Sequence, residues 1–281
     1  MSQTIKQALK QARINLEPVA DNSRLEAEIL LGRSLNKSRS FIHAWPDKVL
    51  SETAQQTFQH LISERSRGVP IAYLTGQREF WGLALRVTHD TLIPRPETEH
   101  LVDAALERIP KGANWRIADL GTGSGAIALA IASERHRCQV IATDISDAAL
   151  NIAKANTQAL GLGNLEFIVS RWFEALGGKP LDMICSNPPY IAADDPHLQK
   201  GDLRFEPRCA LQSADQGLAD LSEIINNAPH HLRTGGWLIL EHGYNQAEAV
   251  QLRLQHSGFI EIDTMQDYAG LERVSMGRIP Q

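Results

Sequence analysis

The stretch Asn187-Pro188-Pro189-Tyr190 has the residue types and spacing to hold a planar amino group. It follows the apolar residues 181–185, which predict a buried strand ending just before it. Two consecutive prolines lack backbone N–H groups, so the turn offers acceptors, among them the Asn187 side-chain oxygen and the Pro188 carbonyl, but few donors. An –NH2 group needs acceptors for its hydrogens and a flat surface for its face, and the Tyr190 ring suits the second need.

A glycine-rich loop joins the first predicted strand of the α/β region to the helix that follows it. Glycines permit tight turns and close approach of a ligand to the backbone, and a helix N-terminus favours anionic groups. Asp144 ends the next predicted strand, where a carboxylate can accept both hydroxyls of a ribose. The candidate cofactor-binding residues are Asp119, Gly121, Thr122, Gly123, Ser124, Gly125 and Asp144.

This loop also satisfies the dinucleotide fingerprint G-x-G-x-x-[G/A], with an acidic residue about 20 positions further on. The loop alone therefore does not separate NAD from S-adenosylmethionine. Two features favour S-adenosylmethionine. Asp119 precedes the loop, where a carboxylate suits a cationic amino or sulfonium group, and the acceptor-rich turn at Asn187 has no evident part in hydride transfer.

The apolar periodicity predicts the helices and strands that position these residues. Residues 1–70 predict a helical domain, residues 71–96 a linker with a short hairpin, and residues 97–281 an α/β domain. Strands are predicted at residues 116–120, 139–143, 165–169, 181–185, 236–241, 259–264 and 273–278. Helices are predicted at residues 126–135, 147–160, 218–231 and 247–256. Such alternation predicts a largely parallel sheet covered by helices on both faces, and the short connection between the last two strands predicts an antiparallel edge hairpin.

Composition is that of a soluble globular protein, with 43% hydrophobic and 22% charged residues in 281. A net charge of −5 gives no electrostatic argument for broad binding to nucleic acid. Cys138, Cys185 and Cys209 show no paired spacing, so we assign no metal site. The sequence has no signal-peptide pattern and no apolar run of about 18 residues, so we expect a cytoplasmic protein without membrane contact.

Taken together, the glycine loop, Asp144 and the 187–190 turn resemble class I S-adenosylmethionine-dependent methyltransferases that act on amino or amide nitrogen. Residues 70–76, 80–82, 92–99 and 205–211 are similar to the HemK/PrmC family, and the similarity covers nearly the whole chain. The resemblance implies a Rossmann-like sheet of about seven strands with a small N-terminal helical bundle. It implies methyl transfer to the side-chain amide nitrogen (N5) of the glutamine in the Gly-Gly-Gln motif of bacterial class 1 peptide chain release factors.

Residue roles also follow from this resemblance. The Gly121–Gly125 backbone, Asp144, Trp172 and Asn187 are expected to contact S-adenosylmethionine. Asn187, Pro188, Pro189 and Tyr190 are expected to bind the glutamine, with Asn187, Pro188 and Tyr190 as the catalytic set. The helical domain is expected to recognise the release factor, without direct binding of nucleic acid.

Alternatives stay open at this point. One is a methyltransferase acting on a ribosomal-protein glutamine or on the exocyclic amino group of adenine in nucleic acid. The net charge and the lack of a basic tract weigh against nucleic acid, because phosphate contacts need Lys and Arg. The others are a catalytically silent nucleotide-binding interaction module, which the intact 187–190 turn disfavours, and an NAD-dependent oxidoreductase, for which no proton relay is evident.

Overall fold

The computed structural model describes residues 3–281, and the chain divides into two compact units with a boundary between Gln77 and Arg78. The first unit is helical, in agreement with its apolar periodicity. Its helices are α1 (Ile5–Leu16), α2 (Ser23–Leu35), α3 (Arg39–Ala44), α4 (Glu52–Ser66) and α5 (Ile71–Thr75).

Side-chain caps begin four of these helices. The hydroxyl or amide oxygen of Thr4, Asn22, Ser38 and Ser51 accepts a hydrogen bond from a backbone N–H in the first turn of the helix that follows. Apolar residues of α1, α2 and α4 form the core of this unit. The short helices α3 and α5 were not predicted, because a helix of five or six residues is too short to show an apolar stripe.

The second unit alternates strands and helices around one large sheet, and its first strand begins one residue before the boundary, at Gln77. Its elements are β1 (Gln77–Phe80), β2 (Leu83–Arg86), α6 (Glu99–Arg108), β3 (Arg116–Leu120), α7 (Ala126–Glu134), β4 (Gln139–Asp144), α8 (Asp147–Leu160), β5 (Leu165–Val169), β6 (Leu181–Ser186), β7 (Ile191–Ala192), β8 (Gln212–Ser213), α9 (Ala214–Gly217), α10 (Ala219–Asn227), β9 (Leu232–Glu241), α11 (Ala247–His256), β10 (Ile260–Gln266) and β11 (Glu272–Arg278). Strands β1 and β2 flank Trp81 and Gly82 and form a separate two-stranded sheet.

Seven strands form the main sheet in the order β10-β11-β9-β6-β3-β4-β5. Strands β9, β6, β3, β4 and β5 are parallel, whereas β11 runs antiparallel to β9 and to β10. The predicted parallel sheet with an antiparallel hairpin at its edge is therefore confirmed. Apolar residues of α6 and α7 pack in one buried cluster with the sheet and those of α10 and α11 pack in another, so helices cover both faces.

Two predicted boundaries differ from the structure by more than two residues. The helix expected over 218–231 ends at Asn227 and continues as a 3-10 turn, Ala228–His230, which contains Pro229. Proline has no backbone N–H to continue the α-helical hydrogen bonding. Strand β9 begins four residues earlier than expected, at Leu232, and its pairing with β6 is irregular before Trp237. Among the helices of residues 3–281, none combines the length and the apolar character that a membrane crossing requires.

Gly217 packs directly behind the turn that follows β6. It ends the short segment α9, whose last three residues are left-handed rather than regularly helical, with φ of 51° at Asp215, 53° at Gln216 and 88° at Gly217. A Cβ at Gly217 would lie 2.1 Å from the carbonyl oxygen of Tyr190. That same oxygen accepts a hydrogen bond from the Gln246 side chain (Nε2) at 3.1 Å, so this bond and the close packing of Gly217 hold the turn in addition to its prolines.

The first prediction follows from this contact. Replacing Gly217 with Ala should lower the free energy of unfolding by about 2–4 kcal/mol, because the new methyl group meets a backbone oxygen and the residue must keep a left-handed φ. Urea denaturation measures the change. Gly163→Ala is the matched control, since a Cβ there meets nothing within 4 Å. Equal stability of the two variants would contradict the packing described for Gly217.

Candidate active site

A cavity of ≈ 310 Å³ opens at the carboxyl edge of the main sheet. Residues after β3, β5 and β6 and at and after the end of β4 line it, together with residues 90–92 and Pro207, Cys209, Ala210 and Gln212. Six of the residues predicted from the sequence line this cavity: Gly121, Gly123, Asp144, Trp172, Asn187 and Pro189. The other six are absent from its lining: Asp119, Thr122, Ser124, Gly125, Pro188 and Tyr190.

The loop after β3 turns tightly through three glycines with left-handed φ, 72° at Gly121, 57° at Gly123 and 90° at Gly125. Gly125 must also lack a side chain, because a Cβ there would lie 2.9 Å from Leu129. The loop is tied to β4 by a hydrogen bond from the Thr122 N–H to the Thr143 carbonyl at 2.8 Å. The backbone of Gly121 and Gly123 is thereby exposed to the cavity without side chains in the way.

Asp144 presents a fixed carboxylate at the cavity wall. Its Oδ2 accepts the Gly123 N–H and its Oδ1 accepts the Ser146 N–H, each at 2.9 Å. Burial raises the pKa of the Asp144 carboxyl, and these N–H groups oppose the rise. Because both oxygens are held by backbone donors, their remaining lone pairs have defined directions and suit a pair of adjacent hydroxyls.

Asp119 lies beneath the loop and is fully buried. Its Oδ2 accepts the Thr122 hydroxyl at 2.5 Å and the Ala128 N–H at 3.1 Å, so one carboxylate oxygen joins the loop to the start of α7. Burial raises the pKa of Asp119 to about 7. Ser124 is also buried, and its carbonyl accepts the side-chain amide of Asn156 at 2.9 Å. These side chains support the loop from inside the fold.

Trp172 and Ile145 provide apolar surface to the cavity. Trp172 has a left-handed φ of 45°, and the Ser170 hydroxyl donates to its carbonyl at 3.3 Å. Its ring lies so close to Gly121 that a Cβ there would come within 3.2 Å of it. Ile145 directly follows Asp144 and is 63% exposed, which is unusual for a large apolar side chain. Sequence reasoning missed Ile145, although its position after the acidic strand end was a usable signal.

The turn after β6 is connected to two other elements by hydrogen bonds. Asn187 Nδ2 donates to Thr98 Oγ1 at 3.2 Å. The Tyr190 hydroxyl donates to Glu241 Oε1 at 3.0 Å, and burial raises the pKa of Tyr190 further above its usual range. Neither Thr98 nor Glu241 was predicted as a site residue, because both partners are distant in the sequence.

Two further stretches form the rim of the cavity. One is residues 90–92, and the other contributes Pro207, Cys209, Ala210 and Gln212. Arg95 forms an ion pair with the buried Glu206, whose Oε2 also accepts the Ile93 N–H at 3.1 Å. Burial raises the pKa of Glu206, and the charge of Arg95 opposes the rise. The pair therefore fixes both walls relative to each other.

The second prediction concerns Asp119. A folded-state pKa of about 7, raised from 3.8, means that the folded protein binds this proton more tightly than the unfolded chain. The contribution of Asp119 to stability is therefore largest at low pH and falls as the pH rises towards 7. Relative to Asp119→Asn, the wild-type protein should lose roughly 2–3 kcal/mol of unfolding free energy between about pH 5 and about pH 8. Urea titrations of both proteins measure this, and a difference independent of pH would contradict the raised pKa.

Comparison with known proteins finds two matching families. Residues 7–76 match the family described as PrmC N-terminal domain, and residues 111–267 match the family described as methyltransferase domain. A solved structure of a methyltransferase from Pyrococcus furiosus superposes with a TM-score of 0.54, at 17% identity, covering 79% of this chain and 98% of that one. At that identity the likeness concerns the fold alone.

Two sequence relatives have much higher identity to this chain than that structure does. The release factor glutamine methyltransferase of Xylella fastidiosa is 51% identical over 257 residues, covering 92% of this chain and 94% of that protein. The release factor glutamine methyltransferase of Salmonella typhimurium is 50% identical over 259 residues, covering 92% of this chain and 93% of that protein. Identity at this level, over nearly the full length of both proteins, establishes the family: the chain belongs to the release factor glutamine methyltransferases.

Proposed function

We propose that this protein transfers a methyl group from S-adenosylmethionine to the side-chain amide nitrogen (N5) of the glutamine in the Gly-Gly-Gln motif of bacterial class 1 peptide chain release factors. One observation supports this above the others. The amide of Asn187, bonded through its nitrogen to Thr98, lines the same cavity as the Asp144 carboxylate and the glycine loop. The names of the relatives support the choice of a release factor as the substrate.

Residues of the cavity fit S-adenosylmethionine. Asp144 supplies acceptors for the ribose hydroxyls, Ile145 and Trp172 supply apolar faces for the adenine, and the bare backbone of Gly121 and Gly123 permits close contact. Asp119, Thr122, Ser124 and Gly125 are assigned to shaping this loop, with the Asp119 carboxylate beneath it. When bound, S-adenosylmethionine supplies an electrophilic methyl group on its sulfonium.

The 187–190 turn is assigned to binding the glutamine side chain that receives the methyl group. Amide nitrogen is a weak nucleophile because its lone pair is delocalised into the carbonyl, so alignment and local polarity are the enzyme's main tasks. Asn187 Oδ1 and the Pro188 carbonyl accept the two N–H hydrogens, which directs the nitrogen and stabilises the positive charge that grows on it. Tyr190, fixed by its bond to Glu241, provides the flat face against the glutamine side chain, next to Pro189.

Recognition of the release factor is assigned to the N-terminal helical unit. A single glutamine side chain is too small to distinguish one protein from another, so further contacts must supply specificity. Residues 7–76 match the PrmC N-terminal domain, and this unit has its own apolar core. A protein that modifies release factors acts where translation takes place, which assigns it to the cytoplasm.

The third prediction tests the role of Asn187. Asn187→Ala should lower kcat by about 100- to 1000-fold, with a much smaller effect on cofactor affinity, because one transition-state acceptor is lost. The assay follows transfer of a radiolabelled methyl group from S-adenosylmethionine to a purified release factor. Asn151→Ala is the control, since this exposed asparagine of α8 bonds only to Asp147 among the described residues.

The substrate itself provides a second control for that assay. A release factor whose Gly-Gly-Gln glutamine is replaced by alanine should receive no label from the wild-type enzyme. Label in ribosomal protein or nucleic acid, with none in the release factor, would contradict the proposed substrate. Near-normal turnover of Asn187→Ala would contradict the proposed mechanism.

The fourth prediction concerns Asp144. Asp144→Ala should weaken S-adenosylmethionine binding by about 10- to 100-fold, because hydrogen bonds to a charged group are lost and the Gly123 N–H loses its acceptor. Isothermal titration with S-adenosylmethionine measures the affinity. Asp147→Ala, an exposed carboxylate outside the cavity lining, should bind as the wild-type protein does. Unchanged affinity in Asp144→Ala would show that the ribose assignment is wrong.

A further inference from the structure

The orientation of the Asn187 amide decides what this side chain offers to a substrate. Its oxygen accepts hydrogen bonds and its nitrogen donates them, and the two ends have nearly the same shape. Only one orientation presents Oδ1 to an incoming –NH2 group. The opposite orientation presents a second –NH2 group and repels it. Hydrogen-bond partners behind the amide must therefore select the orientation.

Thr98 is the partner behind Asn187, but a hydroxyl does not select an orientation by itself. Asn187 Nδ2 lies 3.2 Å from Thr98 Oγ1, and Thr98 is buried at 4% exposure. A threonine hydroxyl can accept from the amide nitrogen, or donate to the amide oxygen if the amide is rotated. The direction of this hydrogen bond depends on which other group accepts the Thr98 hydroxyl proton.

Glu241, the last residue of β9, is the acidic group with which the Thr98 hydroxyl interacts. Its carboxylate is 1% exposed and accepts the Tyr190 hydroxyl through Oε1 at 3.0 Å. Burial raises the pKa of the Glu241 carboxyl, and the neighbouring Thr98 and Tyr190 hydroxyls and Arg273 oppose the rise. Its Oε2 makes no hydrogen bond of normal geometry within residues 3–281. In its ionised form this carboxylate only accepts, so a Thr98 hydroxyl that turns its proton towards Glu241 keeps its lone pairs for the Nδ2–H of Asn187.

We propose that Thr98 and Glu241 are positioning residues for the reaction, which fix the Asn187 amide with Oδ1 facing the acceptor nitrogen. The inference rests on the proposed function. It also assigns a role to part of the stretch 92–99, which lies outside the predicted catalytic set. Since Glu241 binds the Tyr190 hydroxyl as well, one buried carboxylate orients both ends of the 187–190 turn.

The fifth prediction uses Thr98→Val, which keeps the shape of the side chain and removes the hydroxyl. Its kcat for methylation of a release factor should fall about 10- to 100-fold, because the amide of Asn187 loses the partner that orients it. The KM for S-adenosylmethionine should stay within about threefold of the wild-type value, since Thr98 is outside the cavity lining. Thr98→Ser keeps the hydroxyl and should restore most of kcat.

A double-mutant cycle of Thr98 and Asn187 distinguishes a positioning role of Thr98 from a general structural defect. In the Asn187→Ala background, Thr98→Val should lower kcat by less than about twofold, because no amide remains to be oriented. Glu241→Gln should lower kcat in the wild-type background, because its amide can no longer accept from both hydroxyls. Thr157→Val is the matched control, since that hydroxyl donates to the Ala153 carbonyl within α8, away from the turn.

The outcomes distinguish this inference from the proposed function. If wild-type protein transfers no methyl group to the release factor, the proposed function fails. If wild-type protein is active, any of four results overturns the inference alone: wild-type kcat in Thr98→Val, wild-type kcat in Glu241→Gln, a Thr98→Ser variant as impaired as Thr98→Val, or a full additive loss in the Asn187→Ala background. Circular dichroism and thermal unfolding of each variant identify a loss that comes from misfolding.

Discussion

Parallel pairing of β6, β3, β4 and β5 is the constraint on which the site depends. In the register of these strands, Leu120 lies opposite both Thr143 and Ser186, and Asp144 lies opposite Val169. The buried Ser186 hydroxyl donates to the Leu120 carbonyl at 2.7 Å and so ties the last residues of β3 and β6 together. Because parallel strands end at one edge, four loops that are far apart in the sequence leave the sheet at nearly the same level. The glycine loop, Asp144, Trp172 and Asn187 therefore meet without any one loop having to be long.

Four buried or half-buried carboxylates hold these loops in place through hydrogen bonds and an ion pair. Asp119 and Asp144 bind the glycine loop, Glu206 joins the two walls of the rim, and Glu241 binds the 187–190 turn. Burial raises the pKa of each of the four. Burying a charge is costly unless donors satisfy it, and here backbone N–H groups, hydroxyls or an arginine bind at least one oxygen of each carboxylate. Directed hydrogen bonds of this kind fix an orientation, which apolar contacts do not.

Single strands and helices were predicted well from the sequence, because the patterns that mark each of them lie within that segment of the chain. Bounds of β3 and β5 and of α8 and α11 match the structure at both ends, since apolar periodicity, caps and glycines mark them. Contacts within the site depend instead on residues far apart: Asn187 meets Thr98, and Tyr190 meets Glu241. The wall residues Cys209 and Ala210 lie in a 3-10 turn, Arg208–Ala210, which has no long periodic pattern. Asp119 shows the same limit, because its position upstream of the loop was clear but the direction of its side chain was not.

An acceptor-only surface has a consequence for the choice of substrate. Under the proposed function, Asn187 Oδ1 and the Pro188 carbonyl both point lone pairs at the group to be methylated. A glutamine amide meets them with two N–H hydrogens, whereas a glutamate carboxylate of the same shape brings further lone pairs and a negative charge. The site would reject glutamate by electrostatic repulsion and unpaired acceptors, without any steric difference. Such discrimination is only as strong as the orientation of the Asn187 amide. For this reason a threonine and a carboxylate behind that amide matter as much as the residues in contact with the substrate.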